Sequence, residues 1–228
     1  MIAFVVAMGK ELACLSRHLE GAREGSEYGR LVLEGAFAGR PAIAVVSGVG
    51  KVNAAAATQI ALAHGPEALF NFGLCGGFGR AVELGGIYEV ARAVEYDFDL
   101  AELNGTAPGV LDERKTPYLP FAAAGRFPAL TLASGDRFRD GDDDLALLGA
   151  LGADLRDMEG AAIAHVCETA GFASVHALKC VSDVHGAASM TGQYLDEASR
   201  CLAALADVLP DWVASALDST RRIRDTMT

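Results

Sequence analysis

The sequence predicts an α/β fold: one domain over residues 1–228, built as a three-layer αβα sandwich around a central mixed, twisted β-sheet. Three observations predict it. Short apolar runs bounded by turn residues recur at 2–7, 42–47, 68–72, 129–133 and 175–181. Most are apolar throughout rather than alternating, as strands covered on both faces are. Segments of helical length and pattern lie between them, and that alternation places helices on both faces of a largely parallel or mixed sheet. With 228 residues, 51% of them apolar, the chain fits one large α/β domain with a full core.

The elements follow in order. Residues 2–7 form the first strand and 10–19 the first helix. Residues 30–37 alternate more and pair as a hairpin with 42–47 across Ala38-Gly39-Arg40-Pro41. Residues 52–64 are alanine-rich and helical, stopped by Gly65-Pro66. Residues 142–151 open on an acidic run suited to a helix N-terminus. A charged strand end at 155–157 runs into a small-residue helix over 159–170, closed by Gly171. Residues 193–209 place Leu195, Ala198, Leu202, Leu205 and Leu209 on one face and stop at Pro210; a last helix covers 211–224. Residues 101–121 hold Asn104-Gly105, Pro108-Gly109, Pro117 and Pro120, and read as a long functional or interface loop.

Composition excludes several classes. Nineteen Lys and Arg against thirty Asp and Glu give a formal charge of −11. Such a surface is a poor partner for nucleic acid or anionic membrane, and disfavours a polyphosphate substrate. The five cysteines are scattered, with no Cys-x-x-Cys pair, and read as reduced, packed thiols. The apolar start is one strand long and runs at once into Lys10 and Glu11, unlike a signal peptide. No run approaches the ~20 apolar residues of a membrane span. A cytoplasmic location is expected.

Several positions carry candidate chemistry. Met158-Glu159, at a strand–helix junction, puts a carboxylate where the first helical turn favours negative charge and where ligand hydroxyls can be held. Ser47-Gly48-Val49-Gly50-Lys51 looks like a phosphate loop, but Val45 and Val52 stand where a Walker A motif needs Gly and Ser or Thr. It is either a turn that lets backbone approach a ligand or a plain strand–helix turn. Gly73, Gly76 and Gly77 follow a buried strand and permit close approach at the carboxyl end of a sheet. Glu11 lies just past the first strand, where position alone favours an exposed first-turn glutamate. Asp183 follows another strand; it is either a proton donor with a raised pKa or a turn aspartate. No combination of His and Cys gives a credible metal site, and no cofactor is implied.

Taken in order, these motifs are more specific. Met8…Glu11, Ser47-Gly48-Val49-Gly50-Lys51-Val52, Asn71…Gly73…Gly76-Gly77, Tyr96-Asp97…Asp99, Ser134-Gly135-Asp136…Phe138, Met158-Glu159…His165-Val166-Cys167 and Ser182-Asp183-Val184 resemble the 5′-methylthioadenosine/S-adenosylhomocysteine nucleosidases of the purine nucleoside phosphorylase superfamily. The match spans nearly the whole chain. The resemblance implies hydrolysis of the N-glycosidic bond between adenine and a 5′-thio-substituted ribose through an oxocarbenium-like transition state. Asp183 matches the acid that shares a proton with purine N7, and Glu11 the base that activates water. Glu159 matches the clamp on the ribose hydroxyls and Met158 packs on the sugar. Phe138 stacks on adenine, backbone at Arg139 reads its edge, Gly76 lines the ribose, and Met8 with Val49 forms the pocket for the 5′ group. A homodimer is implied, with the 101–121 loop completing the partner's pocket.

Asn71 and Leu74 occupy the places where related phosphorylases hold phosphate with arginine and serine, which favours water as the nucleophile. Five positions depart from the nucleosidase pattern. Leu74 stands for a serine near the water, Lys179 for an arginine and Asp157 for a glutamate. Gly160 stands for a common alanine, and Arg139 for an apolar residue at the base. These leave room for a futalosine-type or other purine-ribosyl hydrolase.

Overall fold

The computed structural model describes residues 1–227 except 79–81, 112–113, 139–143 and 187–188; for 221–227 it describes the backbone alone. In chain order the elements are β1 (Ile2–Val6), α1 (Gly9–Ser16), β2 (Leu19–Glu27), β3 (Arg30–Phe37), β4 (Arg40–Val46) and α2 (Lys51–Ala63). There follow β5 (Ala68–Gly77), β6 (Ile87–Glu95), α3 (Ala101–Asn104), β7 (Leu119–Pro120), β8 (Ala129–Ser134) and α4 (Leu145–Ala150). Last come β9 (Leu155–Asp157), α5 (Gly160–Thr169), β10 (Val175–Val184) and α6 (Met190–Met227).

Among the described residues the strands form one mixed sheet, as the αβα expectation requires. One arm is open, in the order β5-β1-β4-β3-β2. At the other end β5 pairs with β10, β10 with β6, β6 with β8, β8 with β9, and β9 again with β5. The sheet therefore curls into a closed ring of five strands, and β7 adds to the outside of β6.

The apolar run of β1 follows from its position. Ile2, Phe4 and Val6 join the layer carrying α1 and α6; Ala3 and Val5 join the layer carrying α2 and α5. Phe4 packs within 5.3–6.4 Å of Phe37, Phe70 and Phe72, and Phe70 meets Trp212 edge-on at 5.4 Å.

Four elements differ from expectation. β2 is a polar edge strand with both faces largely exposed, so it carries no apolar pattern and is held by its ladder to β3. β6 interrupts its apolar run with Glu89 and Arg92. Glu89 is buried because its carboxylate accepts backbone N–H bonds from Ala124, Gly125, Arg126 and Phe127 at 2.5–3.1 Å. β5 continues through Gly73 and Gly76 to Gly77, where a strand was expected to end at 72. α6 does not stop at Pro210: it runs for 38 residues with the proline inside. An interior proline costs ~3 kcal/mol, and the burial of Leu205, Leu209, Trp212, Val213 and Ala216 on both sides of it offsets that cost. The 101–121 segment carries α3 and β7 rather than loop alone. Part of the helix expected at 142–151 lies outside the described residues; its remainder is α4.

Candidate active site

A cavity of about 390 Å³ opens where the carboxyl ends of β1, β5 and β10 meet the turn before α5. Met8, Glu11, Val49, Gly76, Phe138, Met158, Glu159 and Asp183 all line it. Arg139 lies outside the described residues.

Glu11 sits in the first turn of α1, but it is 3% exposed and points inward, against the reading from position alone. Its Oε2 accepts N–H bonds from Ala7 and Met8, both at 2.9 Å, and its Oε1 accepts the Leu74 N–H at 3.3 Å. The strand-end glycine makes room: a Cβ on Gly73 would stand 2.2 Å from Glu11 Oε1. Burial raises the Glu11 pKa above its ordinary value, and the Lys179 charge and the three amides oppose that rise.

Asp183 is 1% exposed and accepts a hydrogen bond from Ser182 Oγ at 2.8 Å. It pairs with Gly76 across a bulge in β10, and a Cβ on Gly76 would lie 2.8 Å from its Oδ2. Gly73 and Gly76 are three residues apart on β5, about 10 Å at ~3.3 Å per residue. The two carboxyls they admit are thus spaced along one strand on the scale of a nucleoside.

Glu159 is the N-cap residue of α5 rather than its first helical residue. Asp157 does the capping instead, accepting the Gly160 N–H at 3.0 Å and the Glu159 N–H at 3.3 Å. That leaves the Glu159 side chain to enter the cavity, where its Oε1 accepts the Gly50 N–H at 2.8 Å. Burial, with Asp157 nearby, raises its pKa to about 7.

Two departures from the expected pattern turn out to be partners. Lys179, 2% exposed, places Nζ 2.9 Å from Asp157 Oδ2. Ser134 Oγ donates to Asp157 Oδ1 at 2.5 Å and accepts the Ala161 N–H at 2.8 Å. Burial pushes Lys179 down, but Asp157, Glu159 and Glu11 outweigh it and hold the pKa above its ordinary value. This charged ammonium faces three carboxylates, so its counter-charge is shared. Gly160 is explained as well: a Cβ there would lie 2.4 Å from Leu132 Cδ2 and 3.0 Å from Asp157.

The Gly-rich turn has two left-handed glycines, Gly48 (φ 83°) and Gly50 (φ 102°). Its amides meet carboxylates of the chain itself: Gly50 N–H goes to Glu159, and Lys51 N–H to Asp136 at 2.8 Å. Lys51 Nζ pairs with Asp97 at 2.6 Å and Glu95 at 3.3 Å. Asn71 Nδ2 donates to the Val5 carbonyl at 3.0 Å. Among the described residues one His/Glu group comes within metal-ligand spacing, Glu27, Glu34 and His64; none of the three lines the cavity.

Sequence reasoning missed Arg156, Thr191, Tyr194 and Leu195, which also line the cavity. Leu195 was expected on the packed face of its helix; it is 71% exposed at the cavity mouth instead. Tyr194 lies edge-on to Phe138 at 5.9 Å, and Lys10 sits 4.5 Å from its ring centre. The signal for this wall was an apolar residue at the open end of a helix, which periodicity alone assigns to the core.

Residues 1–210 match the family described as the phosphorylase superfamily. The chain belongs to that superfamily. Within it, the chain is 30% identical over 215 residues to a 5′-methylthioadenosine/S-adenosylhomocysteine nucleosidase of Bacillus cereus, covering 87% of this chain and 93% of the relative. It therefore belongs to the nucleosidase family as well. The Streptococcus pneumoniae enzyme of the same name, solved with the transition-state inhibitor MT-ImmA, superposes with a TM-score of 0.83 at 25% identity over 95% of this chain and 99% of that one. Futalosine hydrolase of Helicobacter pylori shares the fold, with a TM-score of 0.84 at 19% identity over 96% and 97% of the two chains.

Proposed function

We propose that this chain hydrolyses the N-glycosidic bond of 5′-methylthioadenosine, S-adenosylhomocysteine or a close 5′-substituted adenosine, releasing adenine and a 5-substituted ribose. One observation carries the reading: three buried carboxyl side chains, from α1, the α5 N-cap and β10, converge on one cavity whose glycine floor leaves room for them.

The chemistry divides among them. Glu11 takes a proton from water as its oxygen bonds to C1′. The C1′–N9 bond breaks, its electron pair passes to the purine, and Asp183 delivers a proton to N7. One carboxyl gains the proton that the other loses, the logic of an inverting glycosidase with two separated carboxyl groups. Glu159 accepts hydrogen bonds from the ribose hydroxyls, and Met158 packs on the sugar. Phe138 stacks on the base. Met8 and Val49 hold the 5′ group.

Water rather than phosphate is favoured by what stands in the glycine-rich turns. Asn71 is committed to Val5, Leu74 brings no hydroxyl, and the Gly50 and Lys51 amides already serve carboxylates. A second anion placed beside Glu11 and Glu159 would meet like charge. The activity needs no cofactor or metal. The 1–228 chain works as one domain, in the cytoplasm, as a homodimer; the exposed apolar Val52 and Leu103, the latter in the 101–121 segment, suit a subunit contact.

The test is base release from a panel of 5′-substituted adenosines, with and without phosphate. The expected result is equal adenine release in both arms and a free reducing sugar. Phosphate-stimulated cleavage with a sugar 1-phosphate as product makes the chain a phosphorylase. Tight binding without cleavage makes it a nucleoside-binding protein.

A further inference from the structure

Arg156 takes no part in the proton transfers, yet it is 5% exposed and lines the main cavity. It also lines a small adjoining recess of about 30 Å³, together with Asp183, Phe138 and Gly76. The sheet puts it there. Gly76 of β5 is paired with Arg156 of β9 on one side and with Asp183 of β10 on the other. Directly paired residues present their side chains to the same face. An arginine and the proposed acid therefore flank a residue with no side chain. The guanidinium is backed by the Phe78 ring, 4.9 Å from its carbon to the ring centre, and an N–H approaches Met190 Sδ at 4.0 Å. The Met190 methyl in turn lies 3.6 Å from the Cβ position of Gly76, so arginine tip, methionine and Asp183 gather over one floor.

A guanidinium offers N–H donors and no acceptor. The N7 edge of a purine carries one of two groups beside N7: an O6 acceptor in a 6-oxopurine, or an N6 amino donor in adenine. Arginine complements the first and meets the second donor to donor. With Asp183 at N7, which rests on the function proposed above, the neighbouring arginine has a matching atom only on the oxo base.

We propose that Arg156 is a specificity-determining residue that makes 5′-substituted 6-oxopurine nucleosides, of the 5′-thioinosine class, substrates of this site. The step is the same hydrolysis. Water oxygen bonds to C1′, its proton goes to Glu11, the C1′–N9 bond breaks, and hypoxanthine leaves with the Asp183 proton on N7.

The experiment compares kcat/KM for 5′-methylthioinosine and 5′-methylthioadenosine, without phosphate, in the wild type, R156M and R156K. The wild type is expected to cleave the oxo substrate at least as efficiently as the amino one. R156M lowers the oxo-to-amino ratio roughly 5–150-fold, the discrimination one good bidentate pair supports. R156K, which keeps the charge and loses the fork, falls between. A wild type that cleaves only the amino substrate overturns the proposal and leaves the nucleosidase reading standing. So does an equal loss on both substrates in R156M, which gives Arg156 a purely structural or stacking role. Cleavage of neither substrate sinks the nucleosidase reading and this one together. Where R156M does not fold, the wild-type ratio and the affinities of hypoxanthine and adenine decide: tighter adenine binding contradicts the proposal.

Discussion

The two ends of the cavity are built differently. At the inner end Glu11, Asp157, Glu159 and Lys179 are all under 9% exposed, and backbone amides or charged partners fix each of them. At the mouth Val49, Phe138 and Leu195 are 47%, 49% and 71% exposed, and contacts between rings and alkyl groups do the holding. Groups that move protons must be placed before the substrate arrives, because their orientation sets the barrier. Groups that cover a base or a 5′ substituent can close on it afterwards. Inner-end changes should therefore alter kcat or folding, and mouth changes should alter KM.

The sharpest break of that contrast is Asp183→Asn. It removes the general acid, and loss of such a group costs 10²–10⁴-fold; kcat is expected to fall by more than ~100-fold with the fold intact by circular dichroism. Near wild-type turnover would remove Asp183 from the role.

Lys179→Met tests whether the inner end is held by its shared cation. It leaves Asp157 buried without its counter-charge, and breaking a buried pair costs about 3–5 kcal/mol. Denaturant unfolding is expected to show that loss, with partial recovery in Lys179→Arg. Stability unchanged in Lys179→Met would mean the pair holds nothing.

The Glu159 carboxyl makes pH a third probe. Its pKa is raised from 4.5 to about 7 by burial and Asp157, so the folded state holds its proton more tightly than the unfolded chain. The sign follows: this group's contribution falls as pH rises from 4.5 to about 7 and is constant above that. If the ionised form holds the ribose hydroxyls, kcat/KM runs the opposite way, with an acid limb near pH 7. A profile flat from pH 5 to 8 contradicts that role. The smallest effect is expected at the mouth. Phe138→Ala should raise KM about 10-fold, the loss of one stacked aromatic, and leave kcat within a factor of about 3; a fall in kcat alone would erase the distinction between the ends.

The inner end was largely legible in the sequence because its residues sit at strand ends, next to glycines with no other evident purpose. Glu11, Glu159 and Asp183 were readable as carboxyls; their convergence was readable only through resemblance. Lys179 and Asp157 were visible singly, as departures, and their pairing was not, since nothing local links a residue of β10 to one of β9. β2 and β6 escaped because an edge strand needs no apolar face, and because Glu89 spoils a buried strand's pattern while being satisfied by a distant turn. Pro210 misled for a related reason: packing on both sides outweighed a local penalty. Arg156 was read only as part of a charged strand end, and its importance depends on sharing Gly76 with Asp183.

The division of labour between Glu11 and the rest of the inner end is tested most directly by Glu11→Gln. Binding of 5′-methylthioadenosine by calorimetry and its single-turnover hydrolysis are measured on the same preparation. Affinity within a few-fold of wild type, with hydrolysis slowed by roughly 10²–10⁴ as for loss of a general base, is the expected pair of results. Unimpaired hydrolysis would show that water is activated elsewhere.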